Sequence, residues 1–288
     1  MEYCDLCINV KDTDNESLHR LLTRLYDMGY KTVAINQVLD ESVFETEQKK
    51  KKKSQNEPPK IIIEPYPVDD LKKKFATKLN ILSRLTFIYT DPAKTYSMAQ
   101  SNTLNKFDIY SVMPRGQVAF QFACAQLNAD IITVNGSSTG LKFSRKLYSQ
   151  AVERGLHFEI QYADLISPAT RKTAIHYSHL FHIFGKSKNV IISSGASDYI
   201  TIRSPYDIIN LSTILGLSED KAKRSIHGQC HHLILKSEGR RYGKAVFSIH
   251  KDEEFISESI SDEDDEEDED DDDDDEDGEP PSCKKLKL

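Results

Sequence analysis

Short apolar segments that read as strands alternate with helical patterns along most of this chain. That alternation is its tightest constraint, because strand–helix–strand units build parallel sheets with helices outside. Residues 3–10, YCDLCINV, alternate, with Cys4, Leu6, Ile8 and Val10 on one face and Tyr3, Asp5, Cys7 and Asn9 on the other. A helix follows, capped by Asp14 or Asn15. Its stripe is Leu18, Leu21, Leu22, Leu25 and Met28, and Gly29 ends it. Residues 31–39 give the second strand.

Residues 40–60, with five lysines at Lys49 to Lys53, break the pattern and read as a solvated variable loop. Strands are expected over 79–91, 107–112, 129–134, 156–162, 189–193 and 199–202, and helices over 94–103, 115–127, 143–154 and 168–184. Ser204, Pro205 and Asp207 mark a further helix start, Gly216 a stop, and Ser218 another cap.

Seven or eight such strands fit either a closed α/β barrel or an open doubly wound sheet. Asp5, Asn9, Asn36, Glu159 and Gln161 stand on strands whose other faces are apolar. An open parallel sheet buries both faces, whereas a barrel lumen tolerates some polarity. A barrel over residues 1–251 is therefore expected; the length suits one, at roughly 250 residues.

The formal net charge of −8 sums two unlike parts. Residues 1–251 hold 35 basic and 25 acidic residues, a net +10, while residues 252–288 hold three lysines and 21 acids, a net −18. The basic body favours polyanionic partners such as nucleic acid. The acidic run, with almost nothing apolar to bury, reads as a disordered tail. No apolar run is long enough to span a membrane, and residues 1–10 lack the pattern of a signal peptide, so neither an integral membrane protein nor a secreted one is expected. The five cysteines are too few and scattered for a disulfide framework. Cys4 and Cys7 form a lone C-x-x-C, read as diverging buried thiols in a reducing compartment.

Two Gly/Ser loops, at 135–140 and 193–197, follow strands, and Lys142, Arg145 and Lys146 flank the first. Neither ends in G-K-[ST], so both read as ordinary turns. His176, His179 and His182 fall opposite the Tyr177, Leu180, Phe181 and Phe184 stripe and read as a solvent face, not a metal cluster. No nucleophile elbow stands out. Asp5, Asp91 and Glu159 could serve a metal-dependent phosphoesterase if they met at a barrel mouth; the plainer reading is three satisfied polar residues of the lumen. Residues 211–226 resemble a helix-turn-helix but read as covering helices. Arginines and lysines spread over loops and helix starts form the footprint expected for phosphate contacts with a folded RNA. No metal or cofactor is expected.

The stretches GYKTVAINQ at 29–37, LSRLTFIYTDP at 82–92, FDIYSVMP at 107–114, RGLHFEIQY at 154–162, KNVIISSGA at 188–196 and IRSPYDIINLSTILGLSEDKAK at 202–223 resemble the thirty-kilodalton subunit family of eukaryotic and archaeal ribonuclease P. The resemblance runs from about residue 3 to about residue 250. It implies a TIM-like (β/α) barrel of the metal-dependent-hydrolase (PHP-like) type without the metal histidines, matching the absent H-x-H on the first strand. It also implies a non-catalytic subunit supporting the RNA that removes 5′ leaders from precursor tRNA, shared with RNase MRP, with a small RRM-like protein partner. RNA-contacting character carries over to Arg84, Arg115, Arg171 and Arg203; Lys142, Arg145 and Lys172 join them from the basic loops and helix starts. A nuclear and nucleolar location follows from that family. Lys284, Lys285 and Lys287 read equally as a targeting patch or a solubilising end.

Overall fold

The computed structural model describes residues 2–10, 15–43, 63–100, 103–135, 138 and 140–243. The Lys49–Lys53 run, most of the loop at 40–60, Gly136, Ser137, Thr139 and the acidic tail with its expected boundary at 251/252 lie outside them.

Seven strands form one sheet: β1 (Tyr3–Asn9), β2 (Tyr30–Asp40), β3 (Asn80–Tyr89), β4 (Ile109–Pro114), β5 (Ile131–Thr133), β6 (His157–Gln161) and β7 (Val190–Ser193). Each pairs in parallel with the next. The sheet curls until its outer strands meet. There Ile8 bridges to Ala196, the Asn9 N–H donates to the Ala196 carbonyl at 2.8 Å, and the Gly195 N–H donates to the Cys7 carbonyl at 2.9 Å. The expected barrel is thus nearly closed, with seven strands among the described residues. Residues 199–201, read as part of a strand, form a 3-10 turn instead. The Asp198 carboxylate caps it by accepting from the Ile200 N–H, a local bond that competes with sheet pairing.

Helices cover the outside: α1 (Asn15–Asp27), α2 (Asp69–Phe75), α3 (Pro92–Gln100), α4 (Gln117–Ala125), α5 (Arg145–Glu153), α6 (Tyr162–Ile166), α7 (Arg171–Gly185), α8 (Pro205–Ile214), α9 (Glu219–Ile226) and α10 (Gly228–Tyr242). The expected leucine stripe of α1 is buried, and Gly29 reverses the chain after it at φ +94°. Ser204 and Asp207 form the reciprocal capping box of α8. The helices at 205–226 are covering elements, as expected: their buried residues Ile208, Ile209, Leu215, Ala222 and Ile226 join the main core. In that core Phe143, Tyr148, Phe158 and Phe181 interlock, with Tyr148 stacked on Phe158 at 4.5 Å between ring centres.

α2 and α10 have no counterpart in the sequence patterning. α10 closes the floor of the barrel, where its Cys230 and Leu233 meet Cys4, Leu6, Ala34, Ile109, Ile131 and Ile191. The alternation expected on β1 breaks at a register shift between Asp5 and Ile8. Cys4 joins the apolar floor, while Cys7 accepts a hydrogen bond from Gln161 higher up. The two thiols are separated by level rather than by opposite faces, and both are free and buried.

Candidate functional site

Above the apolar floor the lumen is filled by one ion pair. Arg84 of β3 and Glu159 of β6 are both fully buried side chains. Two parallel bonds join them: Nη1 to Oε1 at 2.5 Å and Nη2 to Oε2 at 2.6 Å. The remaining guanidinium donors are also taken. Nη1 reaches the Leu6 carbonyl at 2.7 Å, Nη2 reaches Ser111 and Thr133 at 3.0 Å, and Nε reaches Thr86 at 3.3 Å. Glu159 further accepts from Ser193 and Thr133, both at 2.6 Å, and from Gln161 at 3.1 Å. Burial alone would push the Glu159 carboxyl up, but the guanidinium and these hydroxyls outweigh it and hold it below its usual range. Thr86 donates onward to Asn36, and Asn36 to Asn9, both at 2.7 Å. Of the polar strand residues legible in the sequence, Asn9, Asn36, Glu159 and Gln161 therefore belong to one connected network, and Asp5 does not.

This corrects the expectation that Arg84 contacts RNA. With every donor satisfied inside the barrel, Arg84 has neither the exposure nor a free N–H for a phosphate.

Asp5, Asp91 and Glu159 do not converge. Glu159 is committed to Arg84. One Asp5 oxygen accepts from the backbone N–H of Ser194 at 2.9 Å and of Cys7 at 3.3 Å, and its other oxygen is buried without a partner. Burial pushes the Asp5 carboxyl up to about 6, against those two hydrogen bonds. Asp91 is not a lumen residue, contrary to expectation: it is exposed beyond the end of β3 and accepts from the Ala93 N–H at the start of α3. Among the described residues no three His, Cys, Asp or Glu side chains are grouped to hold a metal ion. His176, His179 and His182 are all exposed on α7.

Five of the other six predicted contacts lie on the rim after the strand ends: Arg115 after β4, Lys142 and Arg145 after β5, and Arg171 and Lys172 at the start of α7 after β6. Arg203 lies apart, beyond the 3-10 turn that follows β7, where its carbonyl accepts from the Tyr30 hydroxyl at the start of β2. Because helices run back against parallel strands, helix N-termini gather at the strands' C-terminal ends, adding positive backbone potential there. All six side chains are exposed. Three are braced. Arg115 pairs with Asp40 at 3.0 Å, Arg171 donates to the Leu165 and Ile166 carbonyls at 2.7 and 2.8 Å, and Arg203 donates to the Ile200 and Ile202 carbonyls at 2.8 and 3.2 Å. The Lys142 backbone is clamped on both sides by the Gln117 amide.

Residues 2–242, almost the whole barrel, match the family model of RNase P subunit p30. The chain belongs to that family. It is 33% identical to mouse ribonuclease P protein subunit p30 over 243 residues, covering 83% of this chain and 87% of the mouse protein. It is 25% identical over 227 residues to ribonuclease P/MRP protein subunit RPP1 of Saccharomyces cerevisiae, covering 76% and 71% of the two. In architecture it is similar to a chain of the cryo-EM structure of archaeal ribonuclease P with mature tRNA, with TM-score 0.59, 15% identity, and coverage of 87% of this chain and 100% of that one. The barrel is thus the p30 barrel, and the p30 resemblance read from the sequence holds. Sequence reasoning missed the partner of Arg84. The available signal was its setting, a lone arginine in the apolar run LSRLTFIY.

Proposed function

We propose that this protein is a non-catalytic, RNA-contacting subunit of ribonuclease P, and of the related MRP particle, that supports the RNA removing 5′ leaders from precursor tRNA. The p30 match across residues 2–242 carries this reading. The lumen supports it too: where a barrel hydrolase would gather catalytic side chains, this one spends its carboxylate on a buried arginine. The cations after the strand ends, Arg115, Lys142, Arg145, Arg171 and Lys172, together with Arg203 beside the 3-10 turn, are the surface offered to RNA phosphates. A small RRM-like protein is the expected neighbour in the particle, and the nucleus and nucleolus its place.

The test is to purify the tagged protein from its own cells, sequence the RNA that accompanies it, and assay precursor tRNA cleavage. A structured RNA that releases 5′ leaders is expected. Isolation of the protein without such an RNA would overturn the proposal.

A further inference from the structure

An open cleft of about 780 Å³ lies on the outside of the barrel between α1 and the 3-10 turn at 199–201. Helix α1 supplies His19, Arg20, Arg24 and Asp27, and the turn supplies Tyr199 and Ile200. Two features mark it out. Tyr199 is 43% and Ile200 62% exposed, an apolar pair that the fold leaves in water beside guanidinium groups. And Arg24 makes no ion pair or side-chain hydrogen bond among the described residues, while Arg20 has only an exposed helical pair with Glu16. Such a pair contributes little and is easily exchanged for another anion.

The turn is held firmly in this position. Asp198 caps its start, Ile202 at its end is buried against the leucines of α1, and the Arg203 guanidinium clasps the Ile200 and Ile202 carbonyls. Arg203, bonded to the Ile200 carbonyl at 2.8 Å, adds a further cation beside the cleft. Aromatic and aliphatic surface flanked by cations, with a single carboxylate at one end, is the composition of a platform for unpaired bases.

We propose that this cleft binds a single-stranded RNA segment, with a base stacked on Tyr199 beside Ile200 and its flanking phosphates on Arg20 and Arg24. The proposal rests on the reading of the protein as an RNA-contacting subunit, and it adds a class of RNA that the rim alone does not select. An A-form duplex presents phosphates and 2′-hydroxyls but keeps its bases stacked inside, so it gives Tyr199 nothing to stack on. An acidic peptide would satisfy the arginines but has no comparable use for the exposed aromatic face of Tyr199.

The experiment measures binding of a labelled adenine-rich RNA strand, the matching RNA duplex and a labelled acidic peptide to the full-length protein. The variants are Tyr199→Ala, Tyr199→Phe and Arg24→Gln, with Arg115→Gln and Lys142→Gln as rim variants. Tyr199→Ala should weaken the single strand roughly five- to hundredfold and leave the duplex unchanged. Tyr199→Phe, which keeps the ring, should restore most of that affinity. Arg24→Gln should reduce the salt slope of single-strand binding by about 0.7. Equal affinity of Tyr199→Ala and wild type for the single strand would overturn the proposal, as would parallel losses on strand and duplex. Tighter binding of the peptide than of the strand, lost in Arg24→Gln, would assign the cleft to a protein and overturn it too. The outcomes separate from those of the parent reading: dependence on Tyr199 reports on the cleft, while co-isolation of a leader-removing RNA with wild-type protein, and the rim variants, report on the particle.

Discussion

Replacing Arg84 with methionine removes the cation at the centre of the barrel and leaves Glu159 buried with its charge unbalanced. Both side chains have no exposure, so water cannot take over the missing contacts. Truncating one partner of such a pair costs about 3–5 kcal/mol, a large fraction of the roughly 5–15 kcal/mol by which domains are stable. For a barrel this size that corresponds to a fall in Tm of roughly 6–20 °C. Glu159→Gln should cost a similar amount, since it strands the guanidinium instead. The double variant carries neither charge, and its cost should fall below the sum of the two singles by about 1–3 kcal/mol. Urea unfolding followed by circular dichroism measures all four corners of the cycle. Strictly additive costs, or a loss below about 1 kcal/mol for Arg84→Met, would refute the reasoning. So would an Arg84→Met protein of unchanged stability but weakened RNA affinity, the result that an RNA-contacting arginine would give.

Three further outcomes are expected. Asp5 sits at about 6 in the fold against 3.8 for the free side chain, so the folded state holds an extra proton between those values and loses stability as pH rises through them, by up to about 3 kcal/mol. The stability advantage of Asp5→Asn over wild type should therefore grow from pH 4 to above pH 6 in chemical denaturation; a pH-independent difference would contradict this. Gly185→Ala places a Cβ 1.9 Å from the Tyr148 ring, which is itself stacked on Phe158, so the ring cannot swing away freely. A loss of about 1–3 kcal/mol or more is expected by thermal unfolding, and a neutral variant would show that the ring relocates. Deleting residues 252–279, which lie in the −18 segment, should raise non-specific RNA affinity most at low salt, where screening over roughly 10 Å is weakest; unchanged low-salt affinity would make the tail a passive solubiliser.

The barrel was legible because its period-2 strands and helical stripes are local signals, and the strand ends fall within a few residues of expectation. The polar faces at Asn9, Asn36, Glu159 and Gln161 correctly indicated a lumen. What escaped was non-local or thin. The pairing of Arg84 with Glu159 spans 75 positions, so neither residue announces the other. Helix α10 buries only Cys230, Leu233 and Ser237, a stripe too small and too polar to register as a helix, because a barrel floor needs only a narrow lid. The strand expected at 199–202 failed because β-branched residues there serve a capped turn. Five of the seven predicted RNA contacts follow strand ends because loops after parallel strands gather at one end, a consequence of topology that the individual residues do not encode.

The seam between β1 and β7 imposes an order on biosynthesis. Strand β1, made before the rest of the barrel, pairs on its free side with backbone at Gly195 and Ala196, nearly the whole barrel later. Until that segment is made, Asn9 and Cys7 present unpaired backbone at an open sheet edge, the surface on which nascent chains associate wrongly. Closure is therefore a late, long-range event, and the α10 lid can seat only after it. A translation pause or truncation before residue 195 should leave a sticky open sheet, whereas the same interruption after residue 243 leaves a finished barrel.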